Sequence, residues 1–162
     1  MASLSFESRA SADSRTDLAR LCQSCGLCCD GSLFARVVLQ PREVETARKH
    51  RLRVLGTGMG FEQRCAALET PGSVGERRCA IYDERPLSCR QFTCRLYERH
   101  RVEAGPIEAR LAAVKRVREL VAALEAAGLT PGDFDGDGAT GLAAATFAEL
   151  MDRLGEDFAR AR

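Results

Sequence analysis

Eight cysteines constrain this chain more than any other feature. Four form the run Cys22-x-x-Cys25-x-x-Cys28-Cys29, and four follow at wider spacing as Cys65, Cys79, Cys89 and Cys94. Paired as disulfides, eight thiols allow too many connectivities for a sequence to choose among. The N-terminal stretch has no basic segment followed by an apolar one, so no secretory signal is read there. No run approaches the ~18 apolar residues that a membrane span needs. The expected location is therefore the cytoplasm, where a reducing environment makes structural disulfides rare. Metal binding is then the leading use for so many thiols.

The spacing supports that reading. A Cys-x-x-Cys step lets two thiolates converge on one metal while the backbone turns between them, and zinc and iron–sulfur sites both use it. Here the step occurs twice in succession, giving Cys22, Cys25 and Cys28. Three thiolates so placed grip one face of a cubane cluster or supply three corners of a zinc tetrahedron. Cys29 adds a constraint, because the side chains of chain neighbours diverge. Cys28 and Cys29 are not expected to complete one small tetrahedron, so Cys29 is expected to reach a second centre or to bridge. Eight thiolates suit two four-thiolate centres with ligands shared between the two cysteine segments. The cofactor expected is an iron–sulfur cluster or Zn²⁺, and the metal should contribute directly to folding.

Charge offers a check. The formal net charge is +1, and nothing global points to nucleic acid or to a membrane surface. Eight thiolates set against two centres of about 2+ each take the total to about −3. Arg64, Arg77, Arg78, Arg90 and Arg95 lie next to or near cysteines, where they would offset that charge or donate hydrogen bonds to sulfur.

Around the cysteines the pattern is mostly helical. Residues 1–17, rich in Ser, Ala and Arg, read as a loose arm, and Leu18 and Leu21 begin a short helix. Gly26 and Gly31 give the first cysteine run backbone freedom. Leu33 to Leu39 is β-prone. Pro41 opens a helix expected to reach Arg53, and Gly56, Gly58 and Gly60 mark a loop. Pro71 to Gly75 is turn-rich, and Pro86 prevents the segment from Cys79 to Cys94 from being one helix. Pro106 opens a helix ending near Ala127, with Gly128 just past its end and a stripe of Ile107, Leu111, Val114, Val117, Val121 and Leu124. A last helix is expected from Leu142 to Ala159, with Phe147, Leu150, Met151, Leu154 and Phe158 on its apolar face. The expected fold is mainly α with minor β, a small single domain organised around a metal-bound cysteine cluster. It divides into an arm (1–17), a cysteine-cluster region (18–100) and a helical region packed on it (101–162).

Taken in order, Cys22-x-x-Cys-Gly-x-Cys-Cys29, Cys65, and Cys79-x-Ile-Tyr-x-x-Arg-Pro-x-x-Cys-Arg-x-Phe-x-Cys94 resemble the CxxCxxCC cysteine-cluster family. That family is also called YkgJ-like and is described as a zinc- or iron-chelating domain. The resemblance covers about residues 20 to 96. It implies that all eight cysteines are ligands, and it takes in Tyr82, Arg85, Pro86, Arg90 and Phe92. The same motif resembles a part of the flagellin lysine methylases, which implies a cluster-dependent, methylase-like component as one alternative. No Gly-rich loop that would hold S-adenosylmethionine is found here. A thiol-redox protein is the other alternative, and a protein partner is compatible with any of these readings.

The remaining candidates carry less. Tyr82, Arg85 and Arg90 form either a functional face beside the metal or a structural set, with the arginines bonded to carbonyls or sulfurs. The structural role is favoured. His100 is a spare ligand at most, and His50 is expected to be solvated. Asp133, Asp135, Asp137 and Gly138 match the start of an EF-hand loop, but its twelfth position is Ala144, where a bidentate Glu is required.

Overall fold

The computed structural model describes residues 16–70, 77–103, 105–130 and 143–158. Helix α1 (16–25) stops where Gly26 adopts φ +70°, and α2 (Leu27–Asp30) stops where Gly31 adopts φ +100°. These left-handed conformations cost glycine little, because it has no Cβ. The first cysteine run is thereby folded back on itself, with Cys22 and Cys25 on α1 and Cys28 and Cys29 on α2. Asp30, buried, accepts the Ser32 amide at 2.9 Å and fixes the exit from α2.

A small sheet follows. Strands β1 (Arg36–Val38), β2 (Arg53–Val54) and β3 (Gly60–Glu62) pair antiparallel in the order β1-β3-β2, with both Val37 and Val54 opposite Phe61. The β-prone run from Leu33 to Leu39 yields only three strand residues, because β3 offers only three partners. Between β1 and β2, Pro41–Glu43 forms a 3₁₀ turn with Pro41 in the first helical positions and a Gln40–Glu43 capping box. It leads into α3 (Val44–Lys49). This helix ends short of the expected Arg53: Arg51 takes φ +58°, and Arg53 and Val54 are claimed by β3. A hairpin of β4 (Leu68–Glu69) and β5 (Arg78–Cys79) sets Leu68 opposite Cys79.

Beyond β5, a 3₁₀ turn (Tyr82–Glu84) precedes α4 (Leu87–Gln91), whose N-cap is Pro86. Helix α5 (Arg95–Glu103) then leads to α6 (Ile107–Ala126), α7 (Ala144–Arg153) and a π-helical turn (Leu154–Phe158). Gly128 follows α6 at φ +85°, as its position past the helix end predicts.

Two apolar cores result. The helical core joins Leu21 and Leu27 to Leu96, Val114, Val117, Leu124, Leu150 and Phe158, among others. Each fully buried Leu, Val or Phe contributes about 1.5–3 kcal/mol. Along α6 the expected stripe is inward, except that Leu111 is half-buried, and Leu120 widens it. On the last helix Leu150, Leu154 and Phe158 are buried, but Met151 is 40% exposed and lies off the inward face. The sheet core is Leu39, Ala47, Leu52, Phe61 and Ala67.

The fold is mainly helical with small sheets, as expected from the sequence. Helix α1 takes in Thr16 and Asp17, which the sequence reading put in the arm. Residues 1–15, the Pro71–Gly75 turn and the Asp133–Gly138 loop lie outside the described residues.

Candidate metal centre

All eight cysteines line one cavity of ≈ 410 Å³. None is in a disulfide. The two cores divide them: Cys25 and Cys94 pack against the helical core, whereas Cys65 and Cys89 pack against the sheet core. The cavity therefore lies where the two halves of the molecule meet.

Its parts are pinned by hydrogen bonds across the sequence. The Cys65 amide donates to the Cys29 carbonyl at 2.8 Å. Gln63 donates from Nε2 to the Cys28 carbonyl at 2.6 Å, so the end of β3 is fastened to α2. Glu43 accepts the Leu87 amide at 2.7 Å and Ser88 donates to the Val38 carbonyl at 2.8 Å, which seats α4 and its Cys89 against the Pro41–Glu43 turn and β1. The Cys94 sulfur accepts the Tyr97 amide at the start of α5 at 3.4 Å.

The electrostatics of the thiols reveal their grouping. Burial is the main cause that raises each perturbed thiol, because a thiolate is poorly solvated inside the protein. Burial raises Cys29, and the next causes are the charges of Cys65, Cys79 and Cys89, ahead of Cys22. Cys89 is pushed up to about 12 by burial and by Cys65, with Arg85 opposing. Burial raises Cys28 as well, and its charged neighbours are Cys25, Cys29, Cys22 and Cys94. Burial raises Cys25, partly offset by the Leu27 amide, with Cys94 and Cys22 adding to the rise. The couplings group Cys29 with Cys65, Cys79 and Cys89, and Cys25 with Cys28 and Cys94, while Cys22 is felt by thiols of both groups.

Arginine compensates this thiol-rich space, though not at the positions the spacing suggested. Arg85 donates from Nη1 to the Cys22 sulfur at 3.7 Å and from Nε to the Tyr82 carbonyl at 2.9 Å. Its guanidinium lies 3.7 Å from the centre of the Tyr82 ring. Of the arginines chosen for proximity in sequence, Arg78 pairs with Glu69, Arg95 donates to the Gly155 carbonyl, and Arg64 and Arg90 are exposed. Arg77 packs its aliphatic stem over Gly26, with two guanidinium nitrogens buried and without a hydrogen-bond partner among the described residues.

Both histidines depart from their readings or stay outside the centre. His50 is half-buried, not solvated, and its Nε2 lies 2.6 Å from Glu84 Oε2 without the alignment of a hydrogen bond. His100 is buried beside Asp17 and does not line the cysteine cavity. The wall also includes Phe34, Phe61, Phe92 and Phe158, residues with no cysteine-like spacing to single them out. Phe34 and Phe92 meet edge to face at 4.8 Å.

Among the described residues, no three Cys, His, Asp or Glu side chains close tightly enough to hold a single metal ion. The donor set is nonetheless suited to soft metals, being all thiol, with apolar walls and cationic support.

Among the described residues, no helix is long and apolar enough to cross a membrane. No curated protein and no solved structure matches this chain. A family model does match, over residues 21–112, and its description reads "putative zinc- or iron-chelating domain". The match runs past Cys94 through α5 and into the first turns of α6, farther than the motif alone suggested. With more than half its length matched and every cysteine inside that span, the chain belongs to the CxxCxxCC family.

Proposed function

We propose that the cysteines form two quartets, Cys22, Cys25, Cys28 and Cys94 toward the helices and Cys29, Cys65, Cys79 and Cys89 toward the sheet, that each holds an iron–sulfur centre, and that the protein works in electron transfer. The observation that carries this reading is the space itself. Eight thiols line a single cavity of ≈ 410 Å³ together with apolar and aromatic side chains, which is room for clusters. A zinc ion draws its sulfurs to ~2.3 Å and leaves no cavity between them. An iron–sulfur cluster sets its own irons and sulfides between the thiolates, so its ligands stand farther apart.

When bound, such a cluster supplies one-electron redox chemistry. The chain's residues define its surroundings: aromatic and aliphatic side chains line it, and Arg85 offers a donor to sulfur. Low polarity and hydrogen bonds to sulfur are the means by which a protein sets a cluster's potential. A redox role requires a partner that exchanges electrons, and a reducing compartment keeps the cysteines available as ligands.

A second reading is a pair of structural zinc sites. It is supported by the count of thiols, which leaves no open coordination position for catalysis. Purification without oxygen, followed by iron, sulfide and zinc analysis and an absorption spectrum, separates the two. Iron with sulfide and broad absorption near ~400 nm supports the iron–sulfur reading. A colourless protein with about two zinc ions supports the structural one. Neither metal in a stably folded protein overturns both.

A further inference from the structure

A second cavity, of ≈ 350 Å³, lies on the other side of Arg85. Its size is at the small end of ligand pockets. One wall is the Pro41–Glu43 turn and α3, which contribute Arg42, Thr46 and His50. The opposite wall is the Tyr82–Glu84 turn and α4, which contribute Glu84, Arg85 and Arg90. Leu52, Ile81, Arg85 and Pro86 line both cavities, so they form a common wall with the cysteine site.

The charges around this cavity are unevenly committed. Glu43 is occupied by the amides of Leu87 and Gln40, at 2.7 and 2.9 Å. Glu84 faces His50, and Arg85 is held by Cys22 and Tyr82. Two guanidiniums remain, those of Arg42 and Arg90, and neither has a hydrogen bond or ion pair among the described residues. They come from different elements and face the same space. The one carboxylate without a partner there is Asp83, which is exposed. The lining carries as many carboxylates (Glu43, Asp83, Glu84) as guanidiniums (Arg42, Arg85, Arg90), but Glu43 and Glu84 are tied to their neighbours, whereas Arg42 and Arg90 are held by nothing among the described residues. Arginine forks match carboxylate and phosphate oxygens with two parallel bonds.

We propose that this cavity binds a small molecule bearing a carboxylate or phosphate group, held between Arg42 and Arg90. The ligand sits one side chain away from Cys22, with Arg85 between them. This inference does not depend on which metal the cysteines hold.

The test is calorimetric titration of the full-length, metal-loaded protein at low ionic strength. Inorganic phosphate is one probe and succinate the other, with chloride as the reference salt. Saturable binding of either probe is expected, and the arm that binds identifies the group. Arg42→Gln and Arg90→Gln should each weaken it roughly tenfold, the loss of one charged hydrogen-bonding partner. Both residues are exposed, so each variant should keep the fold and the metal content. Asp83→Asn should strengthen binding by removing a like charge. No binding of either probe beyond chloride, or binding indifferent to both arginine variants, overturns the proposal.

Discussion

The amide of Cys65 donates to the carbonyl of Cys29 at 2.8 Å, joining residues far apart in the chain at the edge of the cysteine cavity. That contact brings the second cysteine segment onto the first, and in the proposed partition Cys29 goes with Cys65, Cys79 and Cys89. In the same proposal Cys28, its chain neighbour, goes with Cys22, Cys25 and Cys94. Divergence of successive side chains on a helix accounts for the split.

The split predicts which variants fail together. Cys29→Ser and Cys65→Ser should each remove about half of the bound metal and leave the same residual spectrum. Cys25→Ser and Cys94→Ser should remove the other half. Metal analysis and absorption of the four variants provide the check, and a Cys29→Ser protein that shares its residual spectrum with Cys25→Ser would contradict the partition.

Arg85 supports the centre from outside. Its Nη1 reaches Cys22 while its ring contact and carbonyl bond hold it in place. Arg85→Met should weaken metal retention by roughly 10–100-fold, the usual effect of losing a partner behind the ligands. Arg85→Lys should recover only part of it, since lysine keeps the charge but not the fork. Competition with a chelator measures both.

Protons compete with metal. Burial raises Cys89 to about 12 and raises Cys25, Cys28 and Cys29 as well, so these thiols are protonated in the metal-free protein at neutral pH. Metal binding must release those protons, and apparent affinity should rise with pH. Stability of the metal-free protein has the opposite slope. The raised thiols contribute stability that is complete below their ordinary value of 9.0 and is lost as pH climbs from there toward about 12. Denaturant midpoints of metal-free protein across that range should fall, and a flat profile would count against the burial.

Leu124 is 1% exposed in the helical core. Leu124→Ala should destabilise the protein by about 2–5 kcal/mol through lost burial and a residual cavity. Exposed Met59 provides the control, with Met59→Ala expected within about 0.5 kcal/mol of the parent. Chemical denaturation of both, with metal bound, tests the contrast.

Much of this was legible beforehand. The α6 stripe was readable because burial on a helix recurs with its own period, and Gly128 marked its end. Element ends were less legible: α3 stopped early because β3 claimed Arg53 and Val54, a competition with a distant strand. Met151 was assigned inward by period, but the helix meets its neighbour along Leu150, Leu154 and Phe158.

By itself, the sequence determined the family, the eight thiols and the mainly helical character, since these rest on composition, order and local periodicity. Only the tertiary structure decided that all eight thiols line one cavity, that Arg85 is the arginine at the sulfur, and that His50 is half-buried. Those outcomes depend on which remote segments share a wall. That is set by packing of the helical core against the sheet core, an interaction between residues that no local spacing connects.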